Sequence, residues 1–552
     1  MRVVSSPCSQ SLPLSDAIHP FRPSRSRLAV RAVLTAWFLL PLVEGGSAVQ
    51  AATYTVSESS WGSSSTVNSF AWALAQANNN LGLDTISITP GLSIDVDGAT
   101  PVAGGWLTTI NEALTIQGNG ATLVGNPSFV SSGGTLYTKT NVDAYNGPPL
   151  GTDILTQQAF SFGKVAPGVS LSIEALNSDG LNGYLQLGAG STASISGSTA
   201  RNSVSYGVMA RPVFEALADS TLNLREVALK RINPALESIG PAWSGAISGV
   251  NATLNMVRSS IAQAAAAAGA VVWSGGVANV VSSLISESGG LSIRDDSQPG
   301  VMNLVNSLIS VSAQTSNIQR LQAFDGGELN ITASSIQQDA LYNSYSQCNA
   351  DPYGCVGKPL TAFNGGTITL KQSYVTLLNS LLPGVIPAGV PSYSAADLSF
   401  GAGAGQLTAL DSVWLQPTAN QSAADLRTLF GNPSLLTTGA PLTLEVIGDA
   451  SAYLPWPGGA YPNPEGPLID QITDADGANQ LLNPIDGSPI LVDVFGQPRS
   501  RNGLRSIGAV QPAMAPAPLP LAGAAAALAW GHRLRRRSSL ARAPRGGKGR
   551  GC

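Results

Sequence analysis

The sequence has 552 residues, of which 43% are hydrophobic and 11% charged, so it can bury a large core. Its only two histidines, His19 and His532, lie in terminal segments that are interpreted below as export and sorting signals. The rest of the chain therefore lacks the side chain needed for Ser-His-Asp or Cys-His catalysis and for His-ligated metal sites.

The charge is distributed unevenly. The formal net charge is −4, but residues 1–51 hold five arginines and two acids, and residues 513–552 hold eight basic residues and no acid. Residues 52–512 keep 16 basic and 31 acidic residues, a net charge of −15. A field of this sign repels nucleic acid and anionic membranes, so no nucleic-acid partner is predicted.

Residues 1–51 have the order of a secretory signal peptide. Arginines precede an apolar run over residues 32–43, and small residues follow up to Ala51, where cleavage is predicted. A retained membrane anchor is the alternative, but spanning a bilayer takes about 20 apolar residues and this run is shorter. We expect an exported bacterial protein that is extracellular or displayed on the cell surface.

Residues 52–165 are predicted to form an N-terminal cap and the first coils of a repeat. The segment TVNSFAWALAQANNN predicts an amphipathic helix capped by Asn68 or Ser69. The segments DTISI and EALTIQGNGATLVG supply the first strands. The helix, the Ala-Asn pair at Ala77 and the Asp-Thr-Ile run at Asp84 resemble the CSLREA module of secreted β-helix proteins, whose Leu-Arg-Glu-Ala is replaced here by FAWALAQAN.

Residues 166–420 repeat an apolar-polar-apolar triplet nine times, at intervals of 22, 29, 32, 24, 24, 27, 39 and 39 residues. Alternation with period two predicts strands with one buried face, and a minimum spacing of 22–24 residues is typical of successive coils in a parallel β-helix. The consensus of leucine-rich repeats and the spacing of β-propellers are absent. The triplets start at Leu171, Ala193, Leu222, Leu254, Ala278, Met302, Leu329, Ile368 and Leu407.

The predicted fold is therefore all-β: a single-stranded, right-handed parallel β-helix, a solenoid that resembles those of pectate lyases, with an N-terminal capping helix. An asparagine column in the triplets is predicted to face outward as an amide ladder or a solvated strand face. A serine recurs five residues after most triplet starts, and we interpret it as a small corner residue rather than a nucleophile. The asparagines are Asn223, Asn255, Asn279, Asn303 and Asn330.

The weak candidates for catalysis are Arg294, Asp295 and Asp296, in a turn between two coils. Glycoside hydrolysis uses two carboxylates about 5–9.5 Å apart on one face, and the neighbouring coil offers Glu287 at best. A solvated turn is the preferred interpretation. No catalytic site, cofactor or metal site is therefore predicted.

Cysteine usage agrees with export. Cys348 and Cys355 flank an Asp-Pro-Tyr-Gly turn, a spacing that suits a local disulfide in an oxidising compartment. With only two candidate thiols in the middle of the chain, metal binding is not predicted.

Residues 421–512 are predicted to close the solenoid. The segments EGPLIDQ and LVDVFGQPRSRNGLRSIGAVQ resemble the choice-of-anchor Q domain, a terminal closure of secreted β-helices, with Ser506 in place of the expected Asp. We expect Arg499 to form a buried pair with Asp470 or Asp493. The matching residues assigned to the structural closure are Asp493, Gly496, Pro498, Arg499 and Gly508.

Residues 513–552 combine a Pro/Ala spacer, a short apolar segment over residues 519–530 and a basic end. The motif PAPLPLAGAAAALAWGHRLRRRSS resembles PEP-CTERM sorting tails. That resemblance implies transient membrane attachment through residues 519–530 and processing by an exosortase-type enzyme. A plain C-terminal membrane anchor is the alternative.

Together these features predict a surface or extracellular-matrix protein with an adhesive or structural role and no catalytic site, with an exopolysaccharide or surface glycan as a possible partner. The alternative is a carbohydrate-active enzyme, a polysaccharide lyase or glycoside hydrolase, that uses carboxylates on the face of the β-helix.

Overall fold

The computed structural model describes most of the region predicted to fold, from residue 51 to residue 510. The signal segment, Cys348, Cys355, Asp470 and the tail from residue 511 lie outside the described residues. The described ranges are 51–102, 105–131, 133–141, 154–157, 160–203, 211–232, 245–264, 269–311, 321–339, 360–378, 406–410, 413–415, 445–447, 453–456, 459–462, 472–473, 480–501, 504–506 and 508–510.

The chain winds through three parallel sheets in turn, so that a full coil contributes one strand to each sheet. Strands are numbered in chain order, and β19 and β21 are long enough to run through both the first and the second sheet. The first sheet consists of β4 (Trp106–Ile110), β10 (Ser161–Val165), β13 (Leu185–Leu187), β16 (Phe214–Ala216), β19 (Ile247–Val257), β21 (Val271–Val281), β23 (Leu291–Arg294), β26 (Leu321–Phe324) and β29 (Leu360–Phe363).

The second sheet contains all the repeated triplets. Their first residues pair with one another from coil to coil, so Leu254, Met302 and Leu329 lie in one file, as the repeat predicts. Besides β19 and β21, the second sheet consists of β1 (Thr53–Val56), β2 (Asp84–Ile88), β5 (Leu114–Gln117), β11 (Ser170–Glu174), β14 (Thr192–Ser196), β17 (Thr221–Arg225), β24 (Gly300–Val305), β27 (Glu328–Thr332), β30 (Thr367–Lys371) and β32 (Gln406–Leu410).

The third sheet completes each coil before the chain returns to the first sheet. It consists of β3 (Ser93–Asp95), β6 (Thr122–Val124), β12 (Asn177–Asp179), β15 (Thr199–Ser203), β18 (Ala228–Ile232), β20 (Ser260–Ala264), β22 (Leu284–Ser288), β25 (Leu308–Val311), β28 (Ser335–Asp339), β31 (Tyr374–Leu378), β33 (Val413–Leu415) and β34 (Glu445–Ile447).

The inward side chains of the three sheets form one continuous apolar core, because stacked coils bury an aliphatic face that a single coil would leave exposed. Triplet leucines such as Leu222, Leu254 and Leu329 are fully buried there. The fold is an all-β parallel β-helix, which confirms the fold class predicted from the repeat.

The corner between the second and third sheets is made by one residue with positive φ followed by a buried small or apolar residue. In five consecutive coils that buried residue is a serine whose Oγ accepts the backbone N–H of its counterpart one coil earlier, at 3.0–3.2 Å. These hydroxyls therefore satisfy backbone donors at a corner where the ladder of the sheets is interrupted. The five serines are Ser259, Ser283, Ser307, Ser334 and Ser373.

Helix α1 (Phe70–Asn79) packs on β1, β2 and β4 at the start of the stack. Its N-cap is Ser69, whose hydroxyl accepts the Trp72 backbone N–H at 3.2 Å. The helix buries Phe70 and Leu74 against the core. The predicted capping helix is therefore present, and it covers the open strand row of the first coils.

The remaining strands form three small antiparallel sheets outside the stack. They are β7 (Ser128–Val130), β8 (Leu136–Thr138) and β9 (Ile154–Gln157), then β35 (Tyr453–Trp456) with β36 (Gly459–Pro462), and finally β37 (Ile472–Thr473), β38 (Ser500–Arg501) and β39 (Leu504–Arg505).

Candidate functional site

The structure places Arg294, Asp295 and Asp296 where β23 ends and the chain turns toward β24. Asp295 Oδ1 accepts the Gly300 backbone N–H at 2.7 Å, and Asp296 Oδ2 accepts the Asn251 side-chain amide at 2.9 Å. These bonds use the two carboxylates to hold the turn and to tie it to an earlier coil.

The arginine of this turn is also engaged. Arg294 Nε donates to Ser274 Oγ at 2.7 Å, and the guanidinium lies 6.0 Å from the ring centre of Phe324. Glu287, the suggested partner carboxylate, lies on β22 in the third sheet, whereas this turn joins the first and second sheets. The structure therefore does not bring Glu287 to the same edge as the two aspartates.

Further carboxylates on the edge between the first and second sheets bond to neighbouring amides. Asn364 Nδ2 donates to Asp325 Oδ1 at 3.0 Å, and Gln298 Nε2 donates to Asp219 Oδ1 at 3.4 Å. Across the described ranges, no three acidic, histidine or cysteine side chains come together closely enough to hold a metal ion.

A second polar site on the stack is a group of cations on the third sheet and its corner with the second, which we call the basic surface. It consists of Lys139, Arg201, Arg225, Lys230 and Arg258, together with the carboxylates of Asp179 and Glu226.

Asp179 is the centre of one half of the basic surface. Arg201 Nη2 lies 3.0 Å from its Oδ2, and Lys139 Nζ lies 3.7 Å from its Oδ1. Asn202 Nδ2 also donates to Asp179 Oδ1 at 2.8 Å. One carboxylate therefore faces two cations.

Glu226 has the same role in the other half of the basic surface. Arg258 Nη2 lies 2.8 Å from its Oε1, and Arg225 Nε lies 3.9 Å from the same oxygen. Lys230 is exposed and pairs in register with Arg201 one coil earlier. Within the described part of the chain, Lys230 has no carboxylate within salt-bridge distance.

The sequence reasoning missed the basic surface, although a signal was present. Asp179, Arg201 and Lys230 each stand eight residues after a triplet start, so the repeat alone aligns them on one file. Lys139 comes from outside the repeat, and its arrival at Asp179 follows only from the tertiary fold.

The residues assigned to the C-terminal closure lie close together in a compact turn. Asp493 Oδ1 accepts the backbone N–H groups of Phe495 and Gln497, both at 2.8 Å, and Gly496 takes a φ of 83° in this turn. Val492 pairs with Pro498 across it. These contacts order the loop.

Arg499 is buried, and its Nη1 donates to the Gly508 carbonyl at 2.6 Å. The Arg499 guanidinium thus links the loop that Asp493 orders to the segment that contains Gly508. Nearby, the Ser488 hydroxyl and backbone N–H donate to Asp486 and lower the pKa of this exposed carboxyl.

The same C-terminal residues dock on the side of the stack. Asn306 Nδ2 donates to the Val492 carbonyl at 3.0 Å, and the Ala509 backbone N–H donates to Ser335 Oγ at 2.8 Å. Ala509 and Val510 pack on Leu308, a buried side chain outside the main core. We call residues 480–510 the C-terminal strap.

Comparison with known proteins assigns no family to this chain. No family model matches the chain, and no curated protein matches it. Among solved structures, the chain is similar to the crystal structure of the pectate lyase Pel9A, at 12% sequence identity and a TM-score of 0.31, over 85% of this chain and 98% of that one. The CSLREA, choice-of-anchor Q and PEP-CTERM resemblances therefore stay predictions.

Proposed function

We propose that this β-helix is exported and displayed at the cell surface or in an extracellular matrix, where it serves adhesion or structure. Support for export comes from the order of residues 1–51, and support for display comes from the spacer, apolar segment and basic end of residues 513–552. Among the described residues, no helix is long and apolar enough to cross a bilayer.

The observation that carries this proposal is the outer face of the second sheet. Asn255, Asn279 and Asn303 each donate a side-chain N–H to the amide of the preceding coil at 2.9 Å, and Asn223 and Asn330 extend the ladder at both ends. The ladder uses one N–H of each amide, and Asn330 gives its other N–H to Glu328 Oε1 at 2.7 Å. Asn279 is buried, so the half-buried Asn223, Asn255 and Asn303 are the amides that keep a second donor hydrogen for a ligand.

This face suits attachment because it is long, rigid and repetitive. Neighbouring strands lie about 4.8 Å apart, so the twelve strands of the second sheet extend over about 50 Å. Each polar contact with a polymer is weak, but many contacts held on one rigid face add through multivalency. Pre-ordered side chains also lose little conformational entropy on binding.

A carbohydrate-active enzyme is the competing function. Its candidate carboxylates, Asp295 and Asp296, are hydrogen-bonded within their turn and to Asn251, which favours a structural role for them. A hydrolase would need one of these groups as an acid or nucleophile.

The decisive experiment exposes the full-length protein to an array of neutral and anionic polysaccharides, scoring both retention and the release of new chain ends. We expect binding of at least one polysaccharide without release of ends. Asp295→Asn and Asp296→Asn should bind like the wild type. Cleavage that disappears in either variant would contradict the adhesive function and establish the enzyme.

A further inference from the structure

The basic surface stands out against the charge of the protein. Residues 52–512 carry a net charge of −15, yet five cations gather within a few coils around two carboxylates, leaving three positive charges in excess. Glu174 is the next carboxylate in the same file as Arg225. It lies two coils before Arg225 and forms no ion pair with it. This local excess of positive charge on an acidic protein needs an explanation.

Folding alone does not explain this arrangement. Arg201 and Lys230 are directly opposite in neighbouring strands, where like charges repel and destabilise the pair. Asp179 compensates Arg201 from the other side, but Lys230 gains no such partner among the described residues. An external anion would relieve the repulsion and use both cations.

We propose that the basic surface binds an extended, carboxylate-bearing polysaccharide. The inference rests on the proposed function and names the class of its partner. The polymer would contact Arg201 and Lys230 on the third sheet and reach Arg225 and Arg258 at the corner.

The dimensions of the surface fit an extended polymer rather than a small anion. Lys230 on the strand is the fourth residue after Glu226 at the corner, a length of about 13 Å along the coil. Across the coils, successive cations are about 4.8 Å apart. A linear polymer with a negative charge on successive sugars can meet several of these cations at once.

Three arginines of the basic surface are accessible to such a ligand. The exposed fractions of Arg225, Arg201 and Arg258 are 67%, 56% and 48%. Ion pairs this exposed contribute little to folding, so Arg225 and Arg258 can exchange Glu226 for a ligand carboxylate at small cost. Binding should therefore depend on several weak contacts and weaken as salt rises.

The test uses the full-length protein and two soluble polymers with one backbone, carboxymethyl-cellulose and hydroxyethyl-cellulose. We expect retention by the charged polymer alone, falling as ionic strength rises from about 0.05 M to about 0.3 M. Lys230→Gln should weaken binding about two- to fivefold, and Lys230→Glu about tenfold. The matched control is Lys371→Gln, an exposed lysine at the end of β30, which should bind like the wild type.

Equal binding of both celluloses, unchanged binding by Lys230→Glu, or tighter binding of a single-stranded oligonucleotide overturns the inference. Circular dichroism of each variant checks that the fold is retained. The outcome is separable from the proposed function. If the protein is retained on neutral polysaccharides and Lys230→Glu has no effect, the adhesive function stands and the basic surface is rejected as the binding site. If the protein cleaves a polymer that Lys230→Glu no longer retains, the basic surface stands and the adhesive function is rejected.

Discussion

Gly249 lies on β19 directly against the indole of Trp273 in the next coil. Trp273 is fully buried, and its Nε1 donates to the Ala252 carbonyl at 3.1 Å. A side chain at position 249 would overlap the six-membered ring, so glycine there makes room for the largest side chain of the inner file.

Gly249→Ala should lower the free energy of unfolding by about 1–3 kcal/mol, because the buried indole must move or the coils must separate. The measurement is thermal or denaturant unfolding of the full-length protein. Gly98→Ala is the matched control, since a methyl group there enters open space, and it should be close to neutral. Equal stability of the two variants would show that Trp273 does not pack on Gly249 as described.

At the scale of elements, the C-terminal strap explains an exception to the alternating pattern. Leu284 and Leu308 occupy outward positions of the third sheet, where coils without the strap carry Thr199, Ala228 or Ser260 in the same file. The strap buries Leu308 completely under Ala509 and Val510. Two leucines in a file that otherwise carries small residues in these coils thus mark the docking site of a segment far along the chain.

A pair of leucine variants separates docking of the strap from stability of the stack. Leu308→Ala should release the strap by local opening and raise amide hydrogen exchange in residues 480–510, with little change in the coils. Leu329→Ala removes an inner side chain of the main core and should destabilise the whole stack by about 2–5 kcal/mol. Exchange that rises equally in the strap of both variants would argue against independent docking.

At the scale of the whole molecule, the stack provides a long face with an amide ladder and a local basic surface on an acidic protein. The second sheet presents its amide ladder, while the excess cations gather on the third sheet and its corner. Two chemically different surfaces on one rigid solenoid suit a protein that bridges polymers.

Export can be checked on the mature protein. We expect mass spectrometry of the protein from its own cells to show a new N-terminus near Ala52 and the loss of residues 519–552. Leu39→Arg, which places a charge in the apolar run of the signal segment, should block export and leave the full-length chain in the cytoplasm. An intact wild-type chain recovered from the cytoplasm would contradict both signals.

The sequence by itself determined the coils, the file of buried triplet residues and the corner serines. The alternation of buried and exposed side chains along a strand is a local property, and stacking of the coils repeats it at a fixed spacing in the sequence. The repeat also aligned Arg201 with Lys230. Only the tertiary structure decided that Lys139 reaches Asp179 and that the strap docks on Leu308. Asn306 and Val492 are 186 residues apart, and no periodicity in a sequence encodes a contact between a repeat and a segment outside it.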